Sequence, residues 1–445
     1  MMRQRRPRAN PKSAIRNPQS PPPMITPAEA LRITLDRTPR LGPVEVPLAD
    51  AAGAVLAESV ASDLDLPPFD KSARDGYAAR SADLARLPAD LAVIEDLPAG
   101  LVPTRKVGPG QCAKIMTGAP VPAGADLVVL VEDTEPAAGG RVRIRRADAR
   151  RPNICPRGED VRRGAIVLEA GSIIGPAAAG LLASVGRQRV RIFRRPRVAI
   201  LATGDELVPP GAVPGPGQIR NANSAGLLAL CAEAGVAADD LGVARDNEPD
   251  LRDKISAGLE RDLLVVSGGV SVGERDLVPA IFREFGVTVH FATIRQRPGK
   301  PTIFATRRER VIFGLPGNPV STIVGFHLYV RPAIRRMMGH PEPAPPTVTA
   351  RLAAATEVYG DRTAFLPATL QWVNKEWTVT VLETRGSADL VGLSRANALA
   401  VLEPGDHAPG ESVRVVPLAE ARPIAARAAA ALNSAPQPGS CRQGP

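Results

Sequence analysis

The chain is poor in several things, and each shortage removes a class of function. Aromatic residues make up 3% of its 445 positions, leaving few platforms for stacking nucleic-acid bases. Its four cysteines (Cys112, Cys155, Cys231, Cys441) include no C-x-x-C pair, so neither a zinc motif nor a dithiol redox motif is supported. His290, His327, His340 and His407 are far apart in sequence, which weighs against a soft-metal site. No apolar run approaches the roughly 18–20 residues of a membrane helix. Cysteines scattered in this way, without a secretory signal, fit a reducing cytoplasm. Lysine is scarce too, with seven among 56 basic residues.

The net charge of +10 is unevenly spread. Residues 1–23 carry Arg3, Arg5, Arg6, Arg8, Lys12 and Arg16 with no acid, leaving only +4 for the rest. That distribution describes a basic arm rather than a nucleic-acid-binding body. The arm is expected either to be disordered or to precede a true start at Met24. The second is favoured because Thr26-Pro27-Ala28-Glu29 reads as a complete helix start, with Thr26 as N-cap, Pro27 at N1 and Glu29 closing a capping box. Residues 420–445, rich in alanine and proline, are expected to be a disordered tail.

The length predicts two to four domains. The reading is a multi-domain α/β plus β chain: a central parallel α/β unit at 196–340, a β-rich module before it, and a small C-terminal β-barrel at 341–419. In the central unit, Asn223 is expected to cap a helix through Ala234, with Gly235 at its C′ position. Pro249 opens a second helix, Asp276 or Leu277 a third, and Asn318-Pro319 a long one through Met338. Strand–helix alternation predicts parallel pairing.

Four strand-like runs in this unit end in loops that carry chemistry, and parallel pairing would collect such loops at one sheet edge, where ligands bind. Val198–Leu201 leads into Thr203-Gly-Asp-Glu-Leu207, placing Asp205 and Glu206 just past a strand; a solvated helix start would explain them equally. Leu263–Val266 leads into Ser267-Gly-Gly-Val-Ser-Val-Gly-Glu-Arg-Asp276. Its glycines (Gly268, Gly269, Gly273) let backbone N–H groups approach an oxyanion, and Ser267 and Ser271 add donors. Asp276 could hold hydrated Mg²⁺. Val287–Ile294 leads into Gln296-Arg-Pro-Gly-Lys-Pro301, where Arg297 and Lys300 form a stiff two-cation loop suited to an oxyanion. Val311–Phe313 leads into Gly314-Leu-Pro-Gly-Asn-Pro319, whose following helix start would bind an anion; capping by Asn318 alone would also account for it.

Together these residues resemble the molybdopterin molybdotransferase family, which includes the E domain of gephyrin. The resemblance spans about residues 24–418. It is carried by Pro67-Pro-Phe-Asp-Lys-Ser-Ala-Arg-Asp-Gly-Tyr77, Ile115–Pro120, Arg157–Asp160, Thr203–Leu207, Ser267–Asp276, Pro298–Pro301, Gly314–Pro319 and Gly386-Ser387.

The resemblance implies a discontinuous first domain (24–62 with 163–195), a β-rich second domain (63–162), the α/β unit and the barrel. It also implies a homodimer whose site forms between subunits. The implied activity is insertion of molybdate into adenylylated molybdopterin with release of AMP, using Mg²⁺. Implied catalytic residues are Asp75, Thr117, Asp160, Glu206, Asp246 and Asp276, and implied metal ligands are Asp205, Glu206, Asp246 and Asp276. Substrate contacts would come from Ser267, Gly268, Gly269, Ser271, Arg297, Lys300, Pro316, Asn318, Pro319 and Ser387. A molybdopterin adenylyltransferase and apo-molybdoenzymes would be partners; neither a membrane nor nucleic acid is expected.

Three positions depart from the family pattern. Arg297 stands where lysine is usual, and Arg74 where methionine is frequent. Pro367 occupies the position of an arginine in the barrel, for which Arg362 or Arg385 is expected to compensate. Two other readings are a molybdopterin adenylyltransferase, which the extra modules argue against, and a catalytically impaired dimeric scaffold of the same fold.

Overall fold

The structure, a computed structural model, describes residues 24–269 and 277–418. Contacts divide the chain into two compact units. Pro43–Ile192 is one continuous stretch; the other unit combines the residues up to Gly42 with those from Phe193 onward. No described helix is long and apolar enough to cross a membrane.

The unit Pro43–Ile192 is built on a six-stranded sheet. Its spatial order is Leu127–Leu130, Gly76–Ala79, Gln111–Ile115, Ala89–Leu97, Arg141–Ile144 and Thr134–Ala137. Gly76 cannot be replaced sterically, because a Cβ there would lie 1.8 Å from the carbonyl oxygen of Val129. Antiparallel pairing of Gly76 with Ile115 brings the residue before one strand beside the residues after the other. A second core packs Leu56, Val60, Ile174, Leu182 and Val190 around the helix Pro176–Ser184.

In the other unit the sheet order is Ala238–Ala244, Val198–Thr203, Leu263–Ser267, Arg310–Leu315, Pro301–Arg307 and Thr288–Thr293. The first four strands are mutually parallel. Every residue of Val198–Thr203 and of Leu263–Ser267 is buried, as strands covered on both faces require. Alternation along them splits the core. Ile200, Val265 and Phe313 pack with Leu227, Leu230 and Val324 from the helices Ala222–Glu233 and Pro319–Gly325. Leu201, Leu264 and Ile312 face Leu251, Ile255, Ile281 and Phe282 from the helices Glu248–Gly258 and Val278–Glu284.

Pairing is not parallel throughout, as the sequence reading had it. Pro301–Arg307 and Arg310–Leu315 are joined by a two-residue turn, and such a turn can only connect antiparallel strands. Thr288–Thr293 is antiparallel to Pro301–Arg307 in turn, which restores the direction of the first four strands. All four chemistry-bearing loops therefore leave the sheet at the same edge.

Helix starts also differ in detail. The cap of Ala222–Glu233 is Asn221, whose side chain accepts from Ser224 N at 3.1 Å, rather than Asn223. Asn247 caps Glu248–Gly258, its side chain accepting from Asp250 N at 3.0 Å. The helix from Pro319 runs through a π turn at Phe326–Val330 into Arg331–Met337. Thr26 and Glu29 form the expected reciprocal capping box.

Five strands close into a C-terminal barrel: Thr363–Val373, Glu376–Val381, Val348–Leu352, Ser412–Pro417 and Ala398–Leu402, the last pairing again with the first. Gln296–Arg297 adds to its rim by pairing in parallel with Thr363–Ala364.

At the opposite, amino edge of the α/β sheet sits Asp262, with a side chain 1% exposed. It accepts from Arg194 Nη1 and Nη2 at 2.7 and 2.8 Å, from Arg310 Nη1 at 2.9 Å and from Arg197 N at 2.8 Å. Burial alone would raise its pKa. The Arg194 hydrogen bonds, the Arg197 N–H and both guanidinium charges overcome that and hold it at about 2, below the ordinary 3.8. A depressed carboxylate contributes stability above the unfolded pKa and loses it as pH falls through the folded one. Asp262→Asn should therefore cost about 2–3 kcal/mol at neutral pH. The gap between the two proteins' urea midpoints should start to narrow below about pH 4 and close only once the pH is below about 2; a gap independent of pH across that range would contradict the assignment.

Candidate active site

The carboxyl edge of the α/β sheet and the rim of the barrel enclose a cleft of about 360 Å³. It is lined by Arg297, Lys300, Pro316, Asn318, Arg362 and Ser387, among others. The loop carrying Arg297 and Lys300 is fixed from below. Gln296, with no exposed surface, donates from Nε2 to Pro298 O at 3.0 Å and accepts from the buried Tyr329 hydroxyl. Thr302 Oγ1 donates to Gly299 O at 2.8 Å. The cations thus stand on a stiff base, which limits the entropy lost when they meet an anion.

Across the cleft, Asn318 Nδ2 donates to Ser387 Oγ at 2.8 Å, and Val320 N donates to Ser387 O at 3.0 Å. Two expectations change here. Asn318 makes no side-chain cap; its amide nitrogen donates to Ser387 instead. The first available N–H of the helix is likewise taken by Ser387 and is not open to an anion. The loop carrying Ser387 is braced by Asp389, which accepts from Arg385 N and Gly392 N, both at 2.9 Å, on either side of it, and Gly386 turns the chain with a φ of +104°. Of the two arginines considered as replacements for the one missing at Pro367, Arg362 lines the cleft with Pro367 and Arg385 does not.

Two more loops reach the same sheet edge. Ser267 is buried, and Gly268 and Gly269 adopt positive φ values of 95° and 60°. A Cβ at Gly268 would lie 2.6 Å from Thr203 O, so the turn packs directly on the first strand's end. Ser271 and Asp276 lie outside the described residues. Asp205 and Asp246 are neighbours, since Asp246 N donates to Asp205 Oδ1 at 3.3 Å. Glu206 folds back over Gly204, where its carboxylate would lie 2.4 Å from an added Cβ. Among the described residues no three His, Cys, Asp or Glu side chains form a ready metal site. The Asp205–Asp246 pair still fits Mg²⁺ in kind: this hard cation keeps several waters and needs only one or two carboxylates beside substrate phosphates.

In the Pro43–Ile192 unit, antiparallel pairing brings Asp75 and Thr117 together. Asp75 Oδ1 accepts from Thr117 N and from Thr117 Oγ1, both at 2.7 Å. The Thr117 amide first, and then its hydroxyl, hold the Asp75 carboxyl below its ordinary value of 3.8. It is therefore an exposed carboxylate of fixed orientation with its second oxygen free of these bonds. Asp160 is also exposed and lines a shallow depression with Gly158 and Arg162. A surface ion pair to Arg162 or Arg163 is not found among the described residues. Asp65 engages this neighbourhood instead, accepting from Arg163 N at 2.9 Å and Arg157 Nε at 2.6 Å.

Sequence reasoning missed Gln296, Asp389 and the contacts of Asn223 with Ser267 and Gly317. Asp389 followed at three residues by Gly392 carried a recognisable N-cap signal; the other two depend on contacts remote in sequence. Burial pushes the Cys112 and Cys231 thiols up to about 12, removing both as nucleophiles.

Known proteins resemble this chain along most of its length. Residues 25–186 match the MoeA N-terminal region (domains I and II), residues 199–336 a probable molybdopterin binding domain, and residues 349–418 the MoeA C-terminal region (domain IV). A molybdopterin molybdenumtransferase of Staphylococcus aureus strain Mu50 is 32% identical over 385 residues, covering 85% of this chain and 91% of that protein. One from Staphylococcus epidermidis strain RP62A is 32% identical over 386 residues, covering 86% and 92%. The crystal structure of a molybdopterin biosynthesis MoeA protein from Pyrococcus horikoshii superposes with a TM-score of 0.74 at 31% identity, covering 90% of this chain and all of that one. With identity above 30% along most of its length and three consecutive family regions in order, the chain belongs to the MoeA family of molybdopterin molybdenumtransferases.

Proposed function

We propose that the protein transfers molybdate into adenylylated molybdopterin, hydrolysing the adenylate and releasing AMP. The observation that carries this reading is the cleft in which Arg297, Lys300 and Arg362 line the same space as the Asn318–Ser387 pair. Three permanent cations beside fixed neutral donors suit a tetrahedral oxyanion and a phosphorylated ligand together. Arg297 and Arg362 offer planar forks for oxygen pairs, and Lys300 a point charge. Ser387 keeps its hydroxyl proton for an incoming oxygen, because toward Asn318 it acts as acceptor.

Asp205, Glu206 and Asp246 would hold Mg²⁺, with Asp276 as the further ligand named by the sequence. When bound, the cation neutralises phosphate oxygens. Asp75, oriented by Thr117, serves as a fixed carboxylate toward substrate, and Asp160 is its companion in the same unit. A homodimer is the working assembly in this reading, supplied by the adenylyltransferase and serving apo-molybdoenzymes. The scaffold alternative rested on the cation missing at Pro367. Arg362, which lines the cleft with Pro367, speaks for a compensating cation, and the two additional modules disfavour a stand-alone adenylyltransferase.

Three outcomes are expected. Purified protein given adenylylated molybdopterin and Mg²⁺ should release AMP only when molybdate is added. ATP consumption with free molybdopterin would instead identify an adenylyltransferase, and inertness in both assays a scaffold. Asp75→Ala should lower kcat by about a hundredfold or more while leaving the melting temperature within a few degrees; undiminished turnover would remove Asp75 from the chemistry. Lys300→Ala should raise the half-saturating molybdate concentration about tenfold, measured at fixed substrate, and an unchanged value would place the anion elsewhere.

A further inference from the structure

Asn223 lies one turn inside the sheet's carboxyl edge, at the second position of the helix Ala222–Glu233. Its side chain does not serve that helix. Nδ2 donates to Ser267 Oγ at 2.8 Å and to Gly317 O at 2.7 Å, so a single amide bridges two loops that follow different strands. Where they meet, the loops have little clearance: a Cβ on Gly317 would lie 3.9 Å from the Cα of Gly268. Gly268 N donates to Leu315 O at 3.0 Å, which continues the strand pairing up to this point. Beyond it, Asn223 is the link to Gly317.

The orientation of the amide is determined. The Gly317 carbonyl can only accept, so the nitrogen must face it, and the buried Oδ1 finds no partner among the described residues. An unsatisfied buried acceptor calls for an explanation, and the two bonds made by the other end of the amide supply one. Gly317 sits between Pro316 and Asn318, which both line the cleft, and Asn318 in turn holds Ser387. A continuous path of hydrogen bonds thus runs from Ser267 through Asn223 and Gly317 to the cleft wall and the barrel.

We infer that Asn223 is a positioning residue that sets the spacing between the Ser267–Gly269 turn and the Pro316–Asn318 wall, and through it the fit of the phosphorylated pterin substrate. The inference deepens the functional reading above and rests on it for the identity of the substrate; the bridge itself does not. Without Asn223 the Gly317 carbonyl has no anchor, and the wall samples positions that bind substrate less well. Chemistry on the bound fraction continues, so the loss belongs in KM rather than kcat.

Asn223→Asp is the informative substitution. It is isosteric, and an acid in the first turn of a helix is favourable, so the helix is not weakened. Ser267 Oγ can turn to donate to the new carboxylate, whereas the Gly317 carbonyl then faces an oxygen instead of an N–H. Two readouts follow. In the substrate-free protein, amide hydrogen exchange across residues 314–322 should speed up about tenfold while the melting temperature falls by no more than a few degrees. In turnover, KM for adenylylated molybdopterin should rise about tenfold with kcat within threefold. Unchanged exchange at 314–322 overturns the bridge, and a fall in kcat at unchanged KM overturns the positioning role. Faster exchange together with a wild-type protein that fails to release AMP supports the bridge while rejecting the assigned reaction, which keeps the two failures distinct.

Discussion

Two residues of backbone pairing hold the cleft together. Gln296 and Arg297 lie beside Thr363 and Ala364 in parallel register, joining the end of an α/β-sheet strand to the first strand of the barrel. The fully buried Gln296 and Tyr329 lock that junction from the interior. Arg297 and Lys300 face Arg362 and Ser387 because of it. If this short pairing were lost, the cations and the serine would belong to separate surfaces, and neither alone has the charge and donors to enclose a tetrahedral anion. Burial of the amide costs free energy, which the paired hydroxyl and carbonyl offset.

The two units solve related problems by different means. In the α/β unit, direction is the organising device: five of six strands run the same way, and their carboxyl ends supply the loops. In the Pro43–Ile192 unit, antiparallel adjacency is enough, since it sets the residue before Gly76 beside those after Ile115. Gly76 is the enabling position, where any side chain would strike the neighbouring carbonyl. The carboxylate of Asp75 and the amide of Thr117 meet only because that strand can lie so close.

Much of this was legible in the residue pattern. The continuous apolar runs at Val198–Leu201 and Leu263–Val266 announced doubly covered strands, and the loops after them were read as a set. Local chemistry with local partners was read well, as with the Thr26–Glu29 box. What escaped was decided at a distance. The strand Pro301–Arg307 opens on proline and followed a loop already assigned to chemistry, so its antiparallel course was hidden behind the alternation of the rest. Asn221 and Asn223 are both good caps by type. Only Ser267, 44 residues on, and Gly317, 94 residues on, decide which of them is left to bridge loops. Which of Arg362 and Arg385 lines the cleft with Pro367 is likewise a matter of three-dimensional proximity, left open by spacing along the chain.

The divided make-up of the α/β-containing unit bears on how the protein emerges from the ribosome. Ile25 reaches its partner Ile294, and Leu41 bonds to Met337, only after the whole intervening stretch has been made. At ordinary elongation rates that is a delay of roughly 15–50 s. The continuous segment Pro43–Ile192 holds all its own contacts and can complete itself during that interval. The first helix, though well capped, must wait as a lone amphipathic segment, exposing Leu31 and Ile33 to whatever surveys nascent chains. Biogenesis therefore departs from sequence order: residues 25–41 are made before the Pro43–Ile192 unit but find their partners after it.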